Sequence, residues 1–97
     1  MARYVVLFNW TDQGVKGAKQ SVDRYERASE QFASLGIHFL DTHWTIGPYD
    51  IVSIVEAPDE ETLSAALIAL GSQGNVRSTT MRAFAADEMR GVIQRAP

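Results

Sequence analysis

Cysteine is absent from the 97 residues, which removes disulfides, thiolate metal sites and cysteine nucleophiles together and leaves the redox compartment undetermined. Histidine occurs only twice. No apolar run is long enough to span a bilayer. The strand-like stretch entered directly from Met1-Ala2-Arg3-Tyr4, about seven residues, is also too short for a signal-peptide core with its flanks. A soluble, cytoplasmic protein is therefore expected. Positive charge is not in excess either: 9 basic residues against 12 acidic ones leave a net charge of -3. The charges are scattered, so there is no electrostatic footprint for nucleic acid or an anionic membrane, and neither is expected as a partner. Internal repeats, linkers and low-complexity segments are lacking. A chain this short encloses a single core, so residues 1–97 read as one domain.

What the chain does have is apolar content, 45% of its residues, arranged in two periods. From Arg3 to Trp10 both alternating sets are largely apolar: Tyr4, Val6, Phe8 and Trp10 on one side, Val5 and Leu7 on the other. Such a strand is expected to be covered on both faces. Helices can shield one face of a small sheet, and a second copy of the chain is the expected cover for the other, which predicts a homodimer or higher homo-oligomer.

Thr11 or Asp12 can cap a helix whose apolar positions Val15, Ala18, Val22, Tyr25, Ala28, Phe32 and Leu35 step by three or four and form one stripe. Gly14, Gly17 and Ser21 weaken its first half, so two segments are possible, with Ser21 capping the second. Gly36 ends it. The runs Ile37–Thr45 and Asp50–Glu56 flank Gly47-Pro48, a residue free to take positive φ followed by one with fixed φ and no amide donor, and predict a hairpin. Pro58-Asp59 stops the third strand and caps a second main helix with Glu60 and Glu61 in its first turn. Its stripe is Leu63, Ala66, Leu67 and Leu70, with Ala65 and Ala69 small enough for close approach to a neighbouring backbone, and Gly71 and Gly74 terminate it. Val76–Phe84 alternates as a fourth strand, and Asp87–Arg95, with Met89, Val92 and Ile93 on one side, reads as a terminal helix suited to docking on a neighbour. Strand, helix, strand, strand, helix, strand with right-handed crossovers and a central hairpin is the ferredoxin-like α+β sandwich, its sheet antiparallel and its two main helices on one face.

The turn Gly47-Pro48-Tyr49-Asp50 resembles the Gly-x-Tyr-Asp signature of the GYD family, small bacterial and archaeal proteins. Pro48 stands at the variable position and should stiffen the turn. Trp10-Thr11-Asp12-Gln13-Gly14, Glu56-Ala57-Pro58-Asp59, and Gly74-Asn75-Val76-Arg77 with Leu70-Gly71 before it and Met81-Arg82-Ala83-Phe84 after it are similar to family blocks in family order, and together cover nearly the whole chain. The resemblance implies the same ferredoxin-like fold in a dimeric α+β barrel, where two sheets meet face to face.

His38, Asp41 and His43 are the only cluster of metal-ligand types. On a regular strand Asp41 and His43 share a face while His38 points the other way, leaving too few ligands, so no metal site is expected. His43 is the best candidate for proton transfer. Tyr49 and Asp50 admit two readings. One is a functional donor and base; the other is a structural pair in which the carboxylate accepts backbone amides and the ring packs across the hairpin. Arg82 shares a strand face with Ser78 and Thr80, an anion-binding surface if that face lines a cavity, or else forms an ion pair with Asp50 or Glu56 at a buried interface. Trp10 and Trp44 form an aromatic wall or belong to the core or an interface. The glycines of Gly14–Gly17 and Gly71–Asn75 lack phosphate-loop spacing. Two functional classes follow. One is a small-organic-ligand-binding protein or cofactor-free enzyme, with Trp10, His43, Tyr49, Asp50 and Arg82 around the ligand and no cofactor. The other is a homo-oligomeric assembly module without catalytic activity.

Overall fold

A computed structural model describes residues 1–97. Nine segments follow in order: β1 (Ala2–Trp10), α1 (Asp12–Lys16), a 3₁₀ turn (Ala18–Gln20), α2 (Ser21–Ala33), β2 (His38–Trp44), β3 (Ile51–Ala57), α3 (Glu60–Ser72), β4 (Val76–Ala83) and α4 (Ala86–Gln94). The strands form one sheet in the order β2-β3-β1-β4, every neighbouring pair antiparallel. This is the ferredoxin-like α+β arrangement expected from the sequence.

The local signals act as their chemistry requires. Thr11 caps α1, its hydroxyl accepting from the Gly14 amide at 3.0 Å. Asp59 caps α3, accepting from the Thr62 amide at 2.7 Å. Gly36, Gly47 and Gly74 take φ of +81°, +138° and +86°, a region in which a Cβ crowds the backbone. The long helical stripe is divided at the 3₁₀ turn, as the glycines predict, but Ser21 does not cap α2. It is the first residue of that helix and is buried, and its hydroxyl accepts from the Trp44 indole at 2.9 Å.

One face of the sheet carries the core. Tyr4, Val6 and Phe8 of β1 and Ile51, Val55 and Ala57 of β3 pack with Phe32, Ile37, Leu63 and Ala66. On the same side Tyr25 of α2 meets Phe39 and Trp44 edge-on, at ring separations of 5.7 and 5.5 Å. The stripe is narrower than its periodicity suggests. Val15, Val22 and Leu35 stay about half exposed because α1 and α2 are separate bodies and cannot bury one continuous face.

The opposite face has no helix on it. In register across the strands it presents His43, Val52, Leu7 and Thr79 in one row and Asp41, Ile54, Val5 and Met81 in the next. His38 belongs to this face as well, which corrects the expectation from regular alternation. A bulge between Phe39 and Asp41 adds Leu40, and one extra residue reverses the side-chain parity of all that precedes it. The terminal helix α4 buries none of its residues. Its direction is set at the β4 junction, where the Arg82 guanidinium lies 4.5 Å from the Phe84 ring centroid and 3.5 Å from Glu88. The other Glu88 oxygen accepts from the Ala85 amide at 3.0 Å.

Candidate functional site

The signature turn and two other glycine-containing blocks meet at one end of the sheet. Antiparallel pairing sets the start of β3 and the start of β4 beside the end of β1. There the Asp50 carboxylate accepts from the Trp10 amide at 2.8 Å, and the Asp50 amide donates to the Phe8 carbonyl at 2.9 Å. Asp50 thus extends the β1–β3 ladder by one rung through its side chain. Its carbonyl accepts from the Thr45 amide at 2.8 Å, and the Thr45 hydroxyl donates to the Tyr49 carbonyl at 2.6 Å, which ties both ends of the hairpin turn together.

The chain leaving Trp10 runs against the α3–β4 loop. The Thr11 amide donates to the Asn75 carbonyl at 3.1 Å, and the Thr11 hydroxyl donates to the Gly74 carbonyl. The Gln13 amide group donates to the Gln73 carbonyl and the Asn75 side chain, both at 3.0 Å. Gly14 is buried, and a Cβ built on it would stand 1.9 Å from the Asn75 carbonyl oxygen. A glycine is therefore required here by contact rather than by φ. Arg24 of α2 donates to the carbonyls of Gly17 at 2.7 Å and Gly14 at 3.3 Å. Thr11, Gln13, Gly14, Arg24 and Asn75 were not singled out as site residues from sequence. For Thr11, Gln13, Gly14 and Asn75 the signal is that the two glycine-containing blocks lie at strand ends which antiparallel topology brings together; Arg24 stands in neither block.

Of the five residues expected to share a ligand, Trp10, Tyr49 and Asp50 lie at this end. Trp10 packs against the core, and its indole Nε1 is buried without a hydrogen-bond partner. Trp10 and Trp44 stand on strands separated by β3. His43 is on the helix-free face, its Nε2 2.9 Å from the Asp41 carboxylate with both side chains well exposed. No third metal-ligand side chain joins that pair. Arg82 is paired with Tyr4 at the far end of β1, roughly 20 Å from Trp10 at the strand rise per residue. Its ion-pair partner is Glu88 rather than Asp50 or Glu56, while Glu56 faces Arg3 at 3.4 Å.

Two hollows open on the helix side of the sheet. One, between α2 and the strands and lined by Tyr25, Phe39, Ser53 and Asn75 among others, holds about 50 Å³, water-sized rather than metabolite-sized. The other is a cleft of about 290 Å³ between α3 and the β4 edge, lined by Tyr4, Glu60, Leu63, Ser64, Leu67, Thr80 and Arg82. Burial pushes the Tyr4 phenol above its usual pKa; the Glu60 carboxylate adds to the rise and the Arg82 guanidinium opposes it. Glu88 is held below the usual carboxylate range, first by the Ala85 amide and then by Arg82.

Comparison with known proteins gives four findings. The chain is 29% identical over 85 residues to the glutamine synthetase and cystathionine beta-lyase binding protein of Thermus thermophilus, covering 87% of this chain and 90% of that one. The solved structure of TTHA0845, also from Thermus thermophilus, superposes with a TM-score of 0.56 at 26% identity, covering 89% of this chain and 96% of that one. The crystal structure of MtbAldR superposes with a TM-score of 0.68 at 15% identity, a likeness of fold alone, over 87% of this chain and 52% of that one. The model of the GYD domain matches residues 4–93. With the signature turn, the blocks that lock against it and the match over nearly its whole length all in place, the chain belongs to the GYD domain family.

Proposed function

We propose that this protein is a self-associating binding module, whose helix-free sheet face is buried against a second copy and whose role is to hold protein partners rather than to catalyse a reaction. The observation that carries this is the apolar face without cover. Val5, Leu7, Val52 and Ile54 lie across its centre, and Met81 beside them is 47% exposed.

The surface area supports the same reading. The accessible surface is 6400 Å², whereas a compact monomer of 10.7 kDa exposes about 5,500 Å². The excess of about 900 Å² matches the ~800 Å² per partner of a standard stable interface. The radius of gyration, 14.5 Å, likewise exceeds the ~12.5 Å of a compact domain of this length. The Thermus thermophilus relative, described as binding two enzymes, makes protein partners the natural extension. The Asp50 carboxylate, already committed to a backbone amide, fits a structural part better than that of a free base.

A second reading, a small organic molecule or cofactor-free reaction centre on the helix-free face, keeps only His43 of the five residues, with Trp10, Tyr49, Asp50 and Arg82 placed elsewhere, and is favoured at one point. Stacked sheets would enclose the Asp41–His43 pair. Sedimentation velocity tests the first reading. The wild type should be dimeric or larger at micromolar concentration, and Ile54→Lys, which sets a charge in the middle of the face, should give a folded monomer. A wild type that stays monomeric at high concentration overturns it. Native mass spectrometry of protein from its own source reports subunit number and any retained small molecule, and only a retained molecule would favour the second reading.

A further inference from the structure

We infer that the cleft between α3 and β4 is a binding site for a free α-amino acid, a compact zwitterion whose ammonium is met by Glu60 and whose carboxylate is met by Arg82. The cleft holds about 290 Å³, just below the ~300–1,000 Å³ of sites for drug-sized ligands and suited to a smaller metabolite. Its lining is of mixed sign. Glu60, in the first turn of α3, takes part in none of the chain's ion pairs. Arg82 faces it from β4.

Three of the five guanidinium N–H donors of Arg82 go to the carbonyls of Arg3 and Ala83 and to Glu88, which leaves two. The ring of Phe84 at 4.5 Å and that of Tyr4 at 5.8 Å hold its plane. A guanidinium fixed in this way and still carrying free donors is preorganised for a carboxylate. The cleft is also lined by the hydroxyl-bearing residues Ser64, Thr80 and Tyr4 and by the apolar Leu63 and Leu67. A simple anion would leave Glu60 opposing it and a simple cation would meet Arg82, so only a ligand carrying both charges satisfies both walls.

This site lies on the helix side of the sheet, opposite the face proposed to join two copies, so amino-acid binding and self-association can fail independently. The test is a titration of the ¹⁵N-labelled protein with the common L-amino acids one at a time at millimolar concentration, with acetate and ethylammonium as single-charge controls, read by amide shifts and melting temperature. At least one amino acid should shift the amides of Ser64, Leu67 and Thr80 and raise the melting temperature, while both controls leave them in place. Glu60→Gln and Arg82→Gln should each weaken that binding about tenfold or more, the loss of one charge-assisted hydrogen bond. Glu60 is exposed and unpaired, so its variant folds even if loss of Arg82 loosens the junction with α4. The inference is overturned if no amino acid moves those amides, if the shifts map elsewhere, if acetate moves them as far, or if Glu60→Gln binds as tightly as the wild type.

Discussion

Replacing Gly14 by alanine separates two opposed effects. In a helix Gly→Ala ordinarily stabilises by about 1 kcal/mol, because glycine has more backbone freedom to lose. In α1 the new Cβ would stand 1.9 Å from the Asn75 carbonyl oxygen, backbone that yields only if the α3–β4 loop moves away. That movement breaks the Thr11 bonds to Asn75 and Gly74 and strains those from Gln13. Two part-buried bonds at about 0.5–1.5 kcal/mol each and an overpacking cost of about 1–3 kcal/mol outweigh the propensity gain. The net expectation is a loss of about 2–4 kcal/mol, or at least about 8 °C in a domain of this size. Gly71→Ala is the control. It lies near the end of α3 and its Cβ would meet only the Val76 carbonyl at 3.9 Å, ordinary contact, so it should gain up to about 1 kcal/mol. Both are read by circular dichroism melting at one fixed protein concentration, since self-association makes the midpoint concentration-dependent. A Gly14→Ala protein that melts with the wild type, or above it, would refute the packing argument.

Asp50→Ala should cost about 1–3 kcal/mol in urea unfolding, since it strands the Trp10 amide, while Asp50→Asn keeps an acceptor oxygen and should cost less; equal losses would show that the bond to Trp10 is not what matters. The Asp59 carboxyl is held below its usual pKa, first by the Thr62 amide. Its cap therefore stabilises above the unfolded value of about 3.9 and is lost as pH falls through the folded value. The melting-temperature gap between wild type and Asp59→Ala should accordingly be full at neutral pH and close in acid, and a gap that persists there would assign the cap to something other than the charge. The Tyr4 phenol is raised, chiefly by burial, so its contribution is intact below the unfolded value of about 10 and fades as pH rises through the folded one. Tyr4→Phe should flatten that alkaline decline, and an unchanged slope would exclude Tyr4 as its source.

Most of the fold was legible in the residues because the relevant forces are local. A threonine and an aspartate with free backbone amides ahead of them become caps, and Gly47 next to Pro48 makes a turn. The apolar period changes from two to between three and four where strands give way to helices. The crossover rule then leaves one reasonable topology. The site was less legible. Trp10, Tyr49 and Asp50 could be gathered from the signature turn, but Arg82 lies toward the end of a strand antiparallel to β1, which carries it to Tyr4 and away from Asp50.

The sequence by itself determined the element order, the caps at Thr11 and Asp59 though not the one expected at Ser21, the turns and the surplus of apolar strand residues, since each depends on neighbours within a few positions. Tertiary structure alone decided three things. The bulge at Leu40 moved His38 onto the helix-free face, because one inserted residue changes parity without leaving a mark in composition. The contact with Asn75 made Gly14 obligatory, because the two are distant along the chain and meet only when the sheet has formed. The cleft set Glu60 across from Arg82, because α3 and β4 pack side by side with a gap that no pattern along the chain records.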